Sequence, residues 1–127
     1  CYVASAVMCR GVLESMLHTL KAWRKKGDRY YLGPVVRASL ASLVRWAVGN
    51  GVMTQSQAKM ANHIKEMGDL SAHIAQRIDE ERYKHARHRS YRLWIGKEES
   101  WKLLKNTVEL VIALANSQHA RLTRASF

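Results

Sequence analysis

Apolar residues recur at three- and four-residue steps along most of this chain, and that period constrains it to helices. Ile64, Met67, Leu70 or Ser71, Ile74 and Ile78 form one such stripe. Pro34 is the only proline in 127 residues, so little interrupts the pattern. No alternation of the kind that marks strands stands out. No apolar run reaches the roughly 18 residues that a membrane span needs, so no membrane contact is expected. The length suits one domain, residues 1–127, around one hydrophobic core. The expected fold class is all-α, an up-and-down four-helix bundle.

The first helix is predicted over about residues 2–26, with Val3, Ala6, Val7, Leu13, Met16, Leu17, Leu20 and Trp23 on its apolar face. Lys21, Arg24, Lys25 and Lys26 crowd its last turn, where cations suit the negative end of the helix dipole, and Gly27 ends it. Pro34 opens a second helix over about 34–48, with Val36, Leu40, Leu43, Val44 and Ala47 inward. Gly49-Asn50-Gly51 breaks it. Thr54-Gln55-Ser56-Gln57 has capping-box spacing, so a third helix starts near Ser56 and runs to between Ile78 and His88. The fourth is predicted over about 97–121, with Leu104, Val108, Val111, Ile112 and Ala115 inward.

Gly68 sits inside the third helix, where a glycine costs roughly 1 kcal/mol against alanine. That cost is accepted where another chain segment comes close to the backbone, or where a polar group is placed near the core. Asp69 follows at once, and His73 lies four residues further on, on the same helix face. His73 is a candidate acid–base group, because an imidazole titrates near neutral pH. The plainer reading, which the residue type favours, is a buried histidine hydrogen-bonded to a neighbouring helix. Arg10 and Glu14 share the same four-residue relation on the first helix. If that face meets the third helix, Arg10, Glu14, Asp69 and His73 form one polar cluster. Otherwise they are two unrelated surface pairs.

The net charge of +11 and a pI near 10.1 point towards nucleic acid. Arg82, Lys84, Arg87, Arg89 and Arg92 lie among Tyr83, Tyr91 and Trp94, which combines phosphate-binding cations with rings that stack on bases. Lys25 and Lys26 belong to a second basic cluster, although helix ends collect cations in any case. A solvated helical face explains the first cluster as readily. His85 and His88 are three residues apart but have no further ligand at metal spacing, so no metal and no cofactor is expected. No Gly-rich phosphate loop, nucleophile elbow or catalytic cysteine signature is present. Cys1 and Cys9 would lie about 12 Å apart on one helix, too far for a bridge, which fits reduced thiols in a cytoplasmic protein.

Two stretches carry a resemblance. Met8-Cys9-Arg10-Gly11-Val12-Leu13-Glu14 resembles an opening-helix pattern of Arg followed by Leu-Glu. Ile64-Lys65-Glu66-Met67-Gly68-Asp69-Leu70-Ser71-Ala72-His73 resembles a Gly-Asn-x-x-Ala-His segment. Both are similar to an uncharacterised bacterial domain family within the HEPN superfamily of helical bundles. The resemblance covers about residues 3–75 and, more weakly, 97–117. Active HEPN ribonucleases share a helix motif of Arg, a polar residue, three more residues and His, which two protomers bring together. Here Gly68 stands at the Arg position, Asp69 at the polar one and His73 at the His. Glycine cannot stabilise the charge that builds on a phosphate during cleavage.

The resemblance therefore implies a HEPN-like homodimer without standard ribonuclease chemistry. It implies a domain found alone or fused to restriction and defence proteins. The expected function is a basic, non-catalytic helical domain that binds RNA, DNA or a protein partner in a mobile-element or defence setting. The alternatives are a metal-independent toxin-type ribonuclease using His73, and a purely structural dimerisation module. Apolar residues on more than one face of the first and fourth helices suit self-association.

Overall fold

The computed structural model describes the backbone of residues 2–84 and 96–124, and their side chains except those of Val3, 74–84 and 119–124. Four helices carry the chain: α1 (Tyr2–Ala22), α2 (Leu40–Gly49), α3 (Gln55–Lys84) and α4 (Lys97–Arg124). A two-stranded sheet, β1 (Trp23–Lys26) and β2 (Arg29–Leu32), stands between α1 and α2. The protein is thus mostly helical, but not wholly so. Helix α1 packs against each of the other three, and α3 packs against α2 and α4. Leu13, Leu17, Leu40, Leu43, Ile64, Leu110 and Leu114 are fully buried at the centre of this arrangement. Each such side chain contributes about 1.5–3 kcal/mol through removal from water.

The first departure from the sequence pattern is at Trp23, where helix gives way to hairpin. Antiparallel pairing sets Trp23 opposite Leu32, Arg24 opposite Tyr31, Lys25 opposite Tyr30 and Lys26 opposite Arg29. Gly27 closes the two-residue turn at φ +64°, followed by Asp28 at negative φ, which is the type II′ pattern that matches strand twist. So Gly27 is a hairpin residue and not a helix stop. The end of α1 is satisfied locally. The Gly33 N–H donates to the Ala22 carbonyl at 2.8 Å. Arg24 Nη1 donates to the Lys21 and Trp23 carbonyls at 2.7 and 3.1 Å.

Helix α2 begins at Leu40, six residues after the expected Pro34. Ser39 is its N-cap, accepting from the Ser42 N–H at 3.2 Å. Residues 34–39 are non-helical, and Val36 is exposed instead of inward. His18 holds this segment against α1. Its Nδ1 lies 2.9 Å from the Glu14 carbonyl and its Nε2 3.2 Å from the Ala38 N–H. A carbonyl only accepts and a backbone N–H only donates, so both bonds together require the neutral ring with its proton on Nδ1. Helix α3 opens on a reciprocal capping box. The Thr54 N–H donates to Gln57 Oε1 at 2.9 Å, and the Gln57 N–H donates to Thr54 Oγ1 at 3.1 Å.

The largest correction concerns α4. Leu103, Thr107, Leu110 and Leu114 face the core, while Leu104, Val108, Ile112 and Ala115 are exposed and Val111 is half-buried. Two apolar stripes run side by side on this helix, and a polar residue interrupts the one that is buried. Thr107 can be buried because its Oγ1 donates to the Leu103 carbonyl at 2.8 Å. On α3, Leu70 is exposed and Ser71 takes the inward position. Among the tryptophans, Trp46 packs on the core and Trp101 is exposed, while Trp94 lies outside the described residues.

Candidate functional site

Gly68 marks the place where α1 and α3 cross closely. A Cβ built there would meet the Arg10 Cβ at 2.5 Å, the Arg10 Cδ at 2.8 Å and the Ala6 carbonyl oxygen at 3.2 Å. Helix α3 presents no side chain at this point, so the Arg10 stem lies directly across its backbone. The glycine therefore serves a close helix approach, and the polar residues beside it follow from that approach.

Arg10 emerges from the crossing next to Asp69, with Nε 2.7 Å from Oδ1. The N–H does not point along that line, so the contact is one of charge and not an aligned hydrogen bond. Arg10 also lies 3.8 Å from Glu14 Oε2, one turn along α1. The second Asp69 oxygen accepts from Lys65 Nζ at 3.0 Å. Arg10, Glu14, Lys65 and Asp69 thus form a chain of alternating charge with no excess of either sign. All four are partly exposed, so each pair contributes about 0–1 kcal/mol. The arrangement stitches two helices together where they come closest.

Of the residues expected at this site, Arg10, Glu14 and Asp69 come together and His73 does not join them. His73 is exposed and makes no hydrogen bond or ion pair with a described residue. It is therefore not a buried histidine bonded to a neighbouring helix; the half-buried His18 instead bonds its own helix and the non-helical segment before α2. Lys65, four residues before Asp69, is the member that sequence spacing alone could have supplied. Among the described residues no three His, Cys, Asp or Glu side chains cluster closely enough to hold a metal ion. Cys9 is a buried free thiol, and Cys1 lies outside the described residues.

Arg10→Ala tests the stitch. It removes both the charge contacts and the aliphatic stem laid over Gly68, and should cost about 1 kcal/mol of stability. Urea unfolding measures this, and an unchanged midpoint would mean that Arg10 is merely a surface residue.

The basic residues divide differently. Lys25 and Lys26 project from the hairpin, exposed, with Arg24 and Arg29 beside them. Lys21 is the only cation in the last turn of α1, so the helix dipole does not account for the others. Lys25 Nζ stands 5.6 Å from the centroid of the Tyr30 ring. Arg82 and Lys84 lie in α3 with undescribed side chains, and Arg87, Arg89 and Arg92 lie outside the described residues.

A third feature is apolar. Met8, Val12, Leu104, Val108, Val111 and Ile112 line a groove of about 420 Å³ between α1 and α4. Met8 is 68% exposed and Ile112 54% exposed.

Residues 1–124 match the sequence profile of DUF4145, a domain of unknown function. The chain belongs to the DUF4145 family. The matched range takes in the residues of the Gly68 crossing, the basic hairpin and the apolar groove. No curated protein and no solved structure matches the chain. Among the described residues, no helix of this DUF4145 domain is long and apolar enough to cross a membrane.

Proposed function

We propose that this DUF4145 domain is a non-catalytic, HEPN-like helical module that binds nucleic acid through its positive surface. The observation that carries the reading is the position of Arg24, Lys25, Lys26 and Arg29 on a hairpin. Cations at a helix end stabilise the helix, and their presence needs no ligand. Lys26 and Arg29 stand directly opposite each other and repel across the strands, and an anionic partner relieves that repulsion. The overall charge of +11 acts in the same direction, by drawing polyanions to the surface.

The balanced Arg10–Asp69 cluster supports the non-catalytic part. Its arginine is already engaged by two carboxylates, so it is not held ready for a phosphate. The HEPN-like ancestry and the mobile-element or defence setting rest on the sequence resemblance. A second reading, a dimerisation module, is favoured by the exposed apolar groove between α1 and α4. The two are compatible, since a homodimer would double the basic surface.

The test uses labelled single-stranded RNA with EDTA, with a His73→Ala control alongside. The expected result is a gel shift without cleavage, and an affinity that falls about tenfold or more between 50 and 200 mM salt. Cleavage that disappears in the control would replace this reading with the metal-independent ribonuclease. The absence of both binding and cleavage would leave the dimerisation module.

A further inference from the structure

One face of the β1–β2 hairpin has a chemistry of its own. Side chains alternate across a strand, and residues opposite each other share a face. The register therefore puts Lys26, Arg29, Arg24 and Tyr31 together on one side, with Trp23, Lys25, Tyr30 and Leu32 on the other. The first face is the more exposed one: all four of its residues are open to solvent, whereas Trp23 and Tyr30 on the other are half-buried.

Lys26 and Arg29 stand directly opposite each other at the tip, a like-charge pairing that weakens a ribbon. Neither side chain makes an ion pair or hydrogen bond with a described residue, and nor does that of Asp28 in the turn between them. An anion seated between the two cations would turn this repulsion into attraction. Tyr31 lies two residues up β2 from Arg29 on the same face, about 7 Å away at strand rise. That step is comparable to the distance from a phosphate to the base of the adjoining nucleotide on an extended strand. Arg24 lies opposite Tyr31 in the register, with its guanidinium held back by the Lys21 and Trp23 carbonyls.

We propose that the face formed by Lys26, Arg29, Arg24 and Tyr31 binds an extended single strand of nucleic acid, with a phosphate between Lys26 and Arg29 and a base stacked on Tyr31. The proposal rests on the nucleic-acid reading above and makes it specific. A ring available for stacking needs an unpaired base, which a duplex does not offer. Stacking on a ring and charge contact with phosphate do not depend on base identity, so recognition through this face is sequence-tolerant. An anionic membrane fits less well, because Asp28 occupies the tip and the apolar Trp23 and Leu32 lie at the hairpin base.

The experiment measures anisotropy of labelled 12-nucleotide RNA and DNA single strands and of a 12-base-pair duplex, across a salt series. Anionic vesicles of phosphatidylserine and phosphatidylcholine form a separate arm. The variants are the double Lys26→Gln/Arg29→Gln, Tyr31→Ala, Tyr31→Phe, and Lys102→Gln on α4 as a remote charge control. Every substituted position is exposed, so the folded state is retained, and circular dichroism checks this.

Losing the one phosphate held between Lys26 and Arg29 should lower the salt slope by about 0.7, the value per phosphate on a single strand. Tyr31→Ala should weaken single-strand binding about tenfold, while Tyr31→Phe retains it. Duplex binding should be unaffected by Tyr31→Ala, and Lys102→Gln should change little. Single-strand binding that survives both hairpin variants overturns this inference and leaves the broader reading intact. Equal effects of Tyr31→Ala on duplex and single strand, or a preference for vesicles, also overturn it. No binding of any nucleic acid by the unaltered protein overturns the broader reading itself.

Discussion

Gly68→Ala should destabilise the protein by about 2 kcal/mol, although the same change elsewhere in a helix stabilises. Alanine gains roughly 1 kcal/mol over glycine in a helix interior through its smaller loss of backbone entropy. At Gly68 the added methyl would sit 2.5 Å from the Arg10 Cβ and 3.2 Å from the Ala6 carbonyl oxygen. The Arg10 Cβ is the fixed root of its side chain and cannot swing aside. Relief therefore requires α1 and α3 to separate, and over-packing of this kind costs typically about 1–3 kcal/mol and occasionally more. The upper end of that range outweighs the propensity gain. For a chain of this length the net loss corresponds to a fall in Tm of about 8 °C.

Gly11→Ala provides the control of opposite sign. Gly11 is also helical, but nothing lies within 4 Å of a Cβ built there. That variant should gain about 0.5–1 kcal/mol. Thermal unfolding of the two variants side by side checks the difference. If both stabilise the protein, the two helices do not cross at Gly68 as described.

This contrast also shows what a sequence can disclose. Gly68 was legible as a close approach, because a glycine inside a strong helical stripe is otherwise a plain loss of helix stability. What approached it was not legible, since that depends on how α1 lies. The pairing of Arg10 with Asp69 was foreseeable as one of two outcomes, and the position of α1 decided between them. The exposure of His73 had no signature of its own: a histidine four residues past an acid looks the same whether a neighbouring helix covers it or not. The hairpin was obscured by charge. Lys25 and Lys26 after a helical stripe suggest a helix end, and only the Gly27-Asp28 turn with Tyr30 and Tyr31 beyond it indicates a ribbon. The inward face of α2 was easier, because Leu40, Leu43, Val44 and Ala47 form a single stripe without a rival.

Helix α4 had two rival stripes, and substitutions on each should separate folding from association. Leu114 is fully buried, and Leu114→Ala should cost about 3 kcal/mol, the sum of lost transfer energy and the cavity left behind. Ile112 is 54% exposed on the groove side, and Ile112→Ala should change monomer stability by less than about 0.5 kcal/mol. Its effect should appear in self-association instead. Met8, Val12, Leu104, Val108 and Ile112 together expose an apolar surface of the kind that protein contacts cover. Ile112→Glu places a charge in that surface and should shift any dimer towards monomer at unchanged unfolding midpoint under dilute conditions. Chemical denaturation and sedimentation measure the two quantities independently. A large stability loss from Ile112→Ala with little from Leu114→Ala would turn α4 by nearly half a turn, return Thr107 to solvent and remove the groove as a contact surface.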